Sequence, residues 1–296
     1  MNTVYRTFMP GSQWFYIKIY SGIKTTETIL IKEIYSLIKT AKNHQWIDKW
    51  FFIRYADPDP HLRVRFLLKE KQNVNNILSL FHKKLNWAVQ ENIIWKVQID
   101  TYNRELERYG NHLIEETESF FWIDSETTLS IIRKIVSFNN ENYRWMISLK
   151  MIDCLLSDFS LNIMEKHRLM ETLSHSFKTE FGFNDYNSKQ FNIKFREKKH
   201  IIESILNNTV NDQNFVSLYN LLQDRSKSLI PVFELIKMKS KKKNLNMTLN
   251  NLLASYIHMM LNRLFRSKSR MHELVLYDIM RRYYTSEIAK LKFNRE

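Results

Sequence analysis

The residues best able to do chemistry lie in one stretch, Trp50 to Phe66, WFFIRYADPDPHLRVRF. It reads as two strands joined by a turn that carries two Asp-Pro steps. The second strand sets His61, Arg63 and Arg65 at alternate positions, with Leu62, Val64 and Phe66 between them. Side chains alternate faces along a strand, so one face is apolar and the other carries an imidazole and two guanidiniums. With Ala56–Pro60 as the loop, Tyr55 opposes His61, Ile53 opposes Arg63 and Phe51 opposes Arg65, while Arg54 points to the opposite face unless a bulge reverses it. Planar guanidiniums match carboxylates bidentately, so Arg63 and Arg65 suit a carboxylate or phosphate clamp. On spacing alone, a solvated strand face with salt bridges to acidic neighbours is the favoured reading.

Two further clusters are weaker. In TYNRELERYG, Thr101 to Gly110, a helix would put Glu105 and Arg108 three apart and Arg104 and Arg108 four apart, on one face. A solvated helical turn ending at Gly110 explains the same residues. In SYIHMMLNRLF, Ser255 to Phe265, His258 and Asn262 lie four apart on a helix whose neighbours Ile257, Met260, Leu261 and Leu264 look like core. Such a histidine is more often packed and hydrogen-bonded than catalytic.

The elements that must position these residues are read from periodicity. Gln13–Tyr20, Trp50–Tyr55, His61–Leu68 and Ile93–Ile99 are β-like. Thr26–Lys42 and Asn73–Gln90 carry apolar residues at helical spacing. After Gly110 the chain turns mostly helical, with helices expected over Ser125–Phe138, Tyr143–Leu156, Leu161–Lys178, Lys198–Leu206, Asn214–Asp224, Leu249–Phe265 and Met271–Lys290. Ser226 to Asn246 contains Pro231 and the run KMKSKKKN, and that run reads most simply as a solvated loop, with a peptide- or RNA-contacting loop as the alternative. The fold class is α+β: a small aromatic-rich antiparallel sheet with packed helices over about 1–110 and a mostly helical part over about 111–296, in a single domain.

Composition narrows the function classes. The 296 residues are 44% hydrophobic and 26% charged, which suits a folded globular protein. One cysteine, Cys154, excludes an internal disulfide and a cysteine-based zinc site. Nine scattered histidines lack ligand spacing, and there is no Gly-rich phosphate loop, G-x-S-x-G or H-E-x-x-H. Neither a signal peptide nor a membrane span is found, so a cytoplasmic protein is expected. The formal charge of +14 attracts anionic partners generally. Without an aromatic-interleaved basic motif, direct nucleic-acid binding is not expected.

Taken in order, PGSQWFYIKIY, WFFIRYADPDPHLRVRF, QIDTYNRELERYG, EETESFFWIDSE and SYIHMMLNRLF resemble the C-terminal domain of lantibiotic dehydratases, also called the thiopeptide-type bacteriocin biosynthesis domain. The resemblance runs from about residue 5 to about residue 285. It implies a lyase that eliminates glutamate from glutamylated Ser or Thr of a ribosomally made precursor peptide, leaving dehydroalanine or dehydrobutyrine. No cofactor or metal is implied. The family-like sequence starts almost at Met1, so the expectation is a stand-alone elimination protein working with a separate tRNA-dependent glutamylating enzyme. Self-association as a homodimer stays open.

Residue by residue, Arg63 and Arg65 match the family's H-x-R-x-R strand, Arg108 and Glu105 its T-Y-x-R-E-x-x-R-Y-G motif, and His258 the late-helix histidine. The resemblance implies carboxylate or enolate stabilisation by Arg63, Arg65 and Arg108, acid/base work by His258, and orientation of an arginine by Glu105. His61, Arg54, Arg104, Tyr102 and Asn262 complete the expected substrate-binding set. The family's second glycine is replaced by Asn111 after Gly110, which puts only the local loop in doubt. Two rival functions are an enzyme of the same fold that forms a pyridine by [4+2] cycloaddition of dehydroalanines, and a non-catalytic precursor-binding scaffold. Such cyclases lose much of the arginine and histidine set that this chain keeps.

Overall fold

A computed structural model describes residues 4–242 and 248–293. The chain divides into two compact units, Met1–Arg133 with Pro231–Thr248, and Lys134–Ile230 with Leu249–Glu296.

The first unit is built on a four-stranded antiparallel sheet of order β3-β4-β2-β5, from β2 (Trp14–Ser21), β3 (Ile47–Ala56), β4 (Pro60–Leu68) and β5 (Ile94–Ile99). A short pair, β1 (Thr7–Phe8) with β6 (Tyr102–Asn103), forms a second antiparallel sheet. The β3–β4 hairpin has the expected register: Tyr55 faces His61, Ile53 faces Arg63 and Phe51 faces Arg65. On its other side β4 pairs with β2, which sets Tyr20, Lys18 and Tyr16 beside His61, Arg63 and Arg65.

Alternation then separates two faces. One carries Phe15, Ile17, Ile19, Phe52, Leu62, Val64 and Phe66, all buried. Phe81 of α3 (Asn73–Gln90) packs there, 6.1 Å from Phe15 and 5.8 Å from Phe66 between ring centres. Helices α1 (Ile23–Ile29) and α2 (Tyr35–Asn43), joined by a π-helical turn at Leu30–Ile34, bury Leu30, Ile34, Leu37 and Ala41. The second face is the one that bears the arginines. The outer edge of β3 is covered by α5 (Ile114–Ser137), whose Ser125 hydroxyl accepts from the Phe52 N–H at 3.3 Å.

The TYNRELERYG segment is not one helix. Tyr102–Asn103 is strand and only α4 (Leu106–Tyr109) is helical, so Arg104 and Arg108 do not share a helix face. Gly110 ends α4 with φ +78°, a conformation costly for any residue with a Cβ.

The second unit is helical: α6 (Asn142–Asp158), α7 (Ile163–Glu180), α8 (Asp185–Leu206), the first part of α9 (Gln213–Lys242), α10 (Leu249–Leu264) and α11 (Ser269–Phe293). The expected loop at the run KMKSKKKN is overturned as far as Lys242, because α9 continues through Pro231 and into that run. Phe233 and Ile236 beyond the proline are buried, and Lys239 pairs with Glu116 at 2.6 Å. The remainder of that run falls within 243–247, outside the described residues.

Helix α7 packs along α11, the helix that supplies a key carboxylate described below. Its first turn is closed by a capping box: Asn162 accepts from the amides of Met164 and Glu165, and Glu165 accepts from the Asn162 amide. Asn162→Ala is expected to lower unfolding free energy by about 1 kcal/mol, read as a lower urea midpoint at unchanged slope.

Candidate active site

Arg65 is the unusual residue of the second sheet face. It is 8% exposed, and among the described residues its Nε has no hydrogen-bond partner and no carboxylate pairs with it. Aromatic rings hold it instead: Tyr16 at 4.3 Å, Tyr102 at 4.8 Å and Phe51 at 5.3 Å from the guanidinium carbon. Ring faces attract a cation but leave its N–H groups unsatisfied. Burial pushes the Tyr16 phenol above its ordinary value, against the pull of Arg65.

One pleat along, Arg63 lies over the Tyr55 ring at 3.5 Å and donates from Nε to His61 Nε2 at 2.9 Å. That bond requires a lone pair on His61 Nε2, so the ring proton sits on Nδ1 and is donated to the Asp59 carbonyl at 2.8 Å. His61 also stacks on Tyr20, with ring centres 4.5 Å apart. The imidazole is therefore a neutral spacer that aims Arg63, with both nitrogens engaged. Lys18, next to Arg63, is ion-paired to Asp100. Burial alone would raise Asp100, but the Lys18 ammonium and the Thr101 amide hold its carboxyl below the ordinary carboxylate value.

Burial pushes His61 below its ordinary pKa, and Arg63 and Lys18 add to this. A histidine depressed in the folded state contributes stability that is whole above the unfolded pKa, about 6.5. That stability is lost as pH falls beneath this value towards the folded pKa, where the unfolded chain binds more protons. His272 in the second unit is lowered as well, by burial and then by Arg144. The test is thus a difference: between pH 7.5 and 5.5, wild type should lose more stability in urea than His61→Gln, which retains hydrogen-bonding capacity without charging.

Beneath Arg65 lies a second polar centre that sequence reasoning missed. Glu118, on α5, is almost fully buried and accepts from Tyr102 Oη at 2.9 Å, Arg104 Nε at 2.7 Å and Arg104 Nη2 at 2.6 Å. Arg104 also donates to the Tyr5 carbonyl at 3.1 Å. Tyr102 thus links the two centres, with its ring against Arg65 and its hydroxyl on Glu118. Glu105 and Arg108 form a loose, exposed pair at 3.4 Å. Arg54 is on the opposite sheet face, ion-paired at 2.9 Å to buried Glu27 of α1.

His258 and Asn262 lie in the second unit, on α10. His258 Nδ1 is 2.8 Å from Glu273 Oε1, and the Tyr277 hydroxyl donates to Glu273 Oε2 at 3.2 Å. Glu273 is 1% exposed and the His258 side chain 24% exposed. Nothing in the sequence pointed to Glu273. Among the described residues no cluster of three or more His, Cys, Asp or Glu is arranged to hold a metal ion, and no helix is long and apolar enough to cross a membrane.

The model of the family described as "Lantibiotic biosynthesis dehydratase C-term" matches residues 14–284. The chain belongs to this family. The match includes the arginine hairpin, the Glu118 centre and the His258–Glu273 pair. Relatives in this family include the subtilin biosynthesis protein SpaB of Bacillus subtilis, 26% identical over 97% of this chain and 27% of its own length. The epidermin biosynthesis protein EpiB of Staphylococcus epidermidis is 27% identical over 89% of this chain and 25% of its own. The nisin biosynthesis protein NisB of Lactococcus lactis subsp. lactis is 24% identical over 96% of this chain and 27% of its own. The chain thus spans about a quarter of the length of these relatives.

Solved structures share the fold. The tRNA-dependent lantibiotic dehydratase MibB from Microbispora sp. 107891 superposes with a TM-score of 0.72 at 18% identity, over 95% of this chain and 28% of MibB. The pyridine synthase TbtD from thiomuracin biosynthesis gives 0.65 at 10% identity, over 93% of this chain and 99% of TbtD.

Proposed function

We propose that the chain is a lyase that removes glutamate from glutamylated Ser or Thr residues of a precursor peptide, giving dehydroalanine or dehydrobutyrine. One observation carries the reading: among the described residues Arg65 is a buried guanidinium with no anionic partner, and its neighbour Arg63 makes no ion pair, its Nε donating to His61. Taking a cation out of water without a counter-charge costs several kcal/mol, and such a site is suited to an anion that arrives with the substrate.

The chemistry needs this arrangement. A base takes the Cα proton, the electron pair forms the Cα–Cβ double bond, and the Cβ–O bond breaks to release glutamate as a carboxylate. Negative charge develops on the peptide carbonyl oxygen and on the departing carboxylate. Donors fixed in advance at those positions lower the barrier. Arg65 and Arg63 take these roles, with Arg108 as a further cation held near Glu105. His61 aims Arg63, and Tyr102 and Arg104 fix the floor beneath Arg65. His258, in the second unit, is assigned the proton, since a neutral imidazole can exchange one near pH 7. Asn262, one turn further along α10, is kept as a peptide-binding residue. The precursor reaches this chain already glutamylated by a tRNA-dependent partner enzyme, in keeping with the tRNA dependence of MibB.

The fold likeness to TbtD favours a second reading, pyridine formation between two dehydroalanines. That chemistry expels no carboxylate and gives the unpaired Arg65 no anion to meet. Mass spectrometry separates the readings after the protein is added to a glutamylated precursor. Loss of glutamate with appearance of a dehydro residue supports elimination. Consumption of preformed dehydroalanines supports cyclisation, and binding without mass change supports a scaffold.

A further inference from the structure

We infer that Glu273 is a positioning residue that fixes the His258 ring in the Nδ1–H tautomer, leaving Nε2 as the lone pair that takes the substrate proton. The inference rests on the assignment of His258 as the proton-transfer group.

Both oxygens of the Glu273 carboxylate are engaged. His258 Nδ1 contacts Glu273 Oε1 at 2.8 Å, and among the described residues no other charged group pairs with the ring. The other carboxylate oxygen accepts from the Tyr277 hydroxyl at 3.2 Å. Tyr277 is buried, and both burial and the neighbouring Glu273 push its phenol well above the ordinary value, so it stays protonated and can only donate to the carboxylate. A carboxylate accepts at both oxygens, so the proton shared with His258 belongs to Nδ1. The partly exposed ring leaves Nε2 as the nitrogen without a hydrogen-bond partner among the described residues.

The location matches a positioning role. Glu273 sits on α11 and His258 on α10, two helices packed together. A buried carboxylate held by a phenol cannot swing away, which restricts the imidazole in turn. A carboxylate behind an imidazole also stabilises the imidazolium formed when Nε2 takes a proton.

Tyr277 makes the inference testable beyond loss of function. In Glu273→Gln, the Tyr277 hydroxyl could accept from the amide NH2, but its own buried proton would then have no acceptor among the described residues; it therefore donates to the single amide oxygen, which turns the NH2 towards His258 Nδ1. The NH2 is a donor, so Nδ1 must accept and the ring proton moves to Nε2, closing off the base. Removing the phenol in Glu273→Gln/Tyr277→Phe frees the amide to flip and accept from Nδ1–H again.

The experiment combines nitrogen-15 NMR of the imidazole with steady-state elimination of a glutamylated peptide by the full chain. Neutral His258 should be the Nδ1–H tautomer in wild type, Nε2–H in Glu273→Gln, and Nδ1–H again in the double variant. Elimination kcat should fall by roughly 10²-fold or more in Glu273→Gln and recover in part in the double variant, with KM little changed. A wild-type Nε2–H tautomer, or a Glu273→Gln kcat within about threefold of wild type while His258→Ala is inactive, would overturn the inference. If His258→Ala keeps full activity while the tautomer follows the predicted order, the geometry stands and the assignment of His258 to catalysis fails.

Discussion

Arg65→Met is expected to fold at least as stably as wild type and to lose about 10²–10³-fold in elimination rate. The two halves have one cause. Arg65 is buried with no counter-ion among the described residues, and its desolvation costs several kcal/mol. The rings of Tyr16, Tyr102 and Phe51 return about 0.5–2 kcal/mol each at best. Methionine has a similar reach, needs no partner and packs against aromatic rings through its sulfur. A thermal melt should show an unchanged or raised midpoint. Lower stability together with lost activity would mean that Arg65 is structural and that its ring box is not an anion site. Arg65→Lys should not rescue, because a compact ammonium cannot reproduce a planar fork of donors.

The opposite outcome is expected one layer down. Arg104 and Glu118 are 6% and 3% exposed, joined by two short hydrogen bonds, and Tyr102 shares the same carboxylate. Removing either partner leaves the other charge buried and alone. Arg104→Met or Glu118→Leu should therefore each lower unfolding free energy by about 3–5 kcal/mol. The double variant should recover most of that loss, since an apolar pair of similar volume has no charge to desolvate. Urea unfolding of the four proteins forms a double-mutant cycle, and additive losses would contradict the account of an isolated, mutually satisfied pair. Arg104 and Arg65 thus contrast: one is satisfied inside the protein, the other is not.

That contrast was only half legible in the sequence. The hairpin was readable in detail, because Asp-Pro punctuation fixes the turn and alternation fixes every partner of His61, Arg63 and Arg65. The opposite orientation of Arg54 followed from the same parity. The separation of Arg104 from Arg108 was not readable, since a two-residue strand and a single helical turn are too short to show a period. Pro231 and a lysine run argued for a loop, yet burial of Phe233 and Ile236 and the Lys239–Glu116 pair hold the chain helical. Propensity yielded there to tertiary packing.

Carboxylate partners were the harder part of the site. Glu118 stood in plain view within an acidic run, EETESFFWIDSE, but its choice of Arg104, fourteen residues earlier, depends on how α5 meets β6. Glu273 lies fifteen residues from His258 on another helix, and no spacing rule joins them. Tyr16 and Tyr20 alternate on β2 as any strand residues would. Only the β2–β4 pairing puts them beside Arg65 and His61. Local pattern thus gave the cations, and long-range pairing decides which of them keep their charge available.

The central claim is that this chain breaks a Cα–H and a Cβ–O bond in the same residue. The most direct measurement uses a precursor peptide carrying glutamylated serine deuterated at Cα, followed by mass spectrometry after addition of the full-length chain. The account predicts loss of the Cα deuterium and of glutamate in one-to-one proportion, with dehydroalanine as product and with Arg65→Met inactive. Release of glutamate to give serine that keeps its deuterium, or a peptide that remains glutamylated, would contradict it.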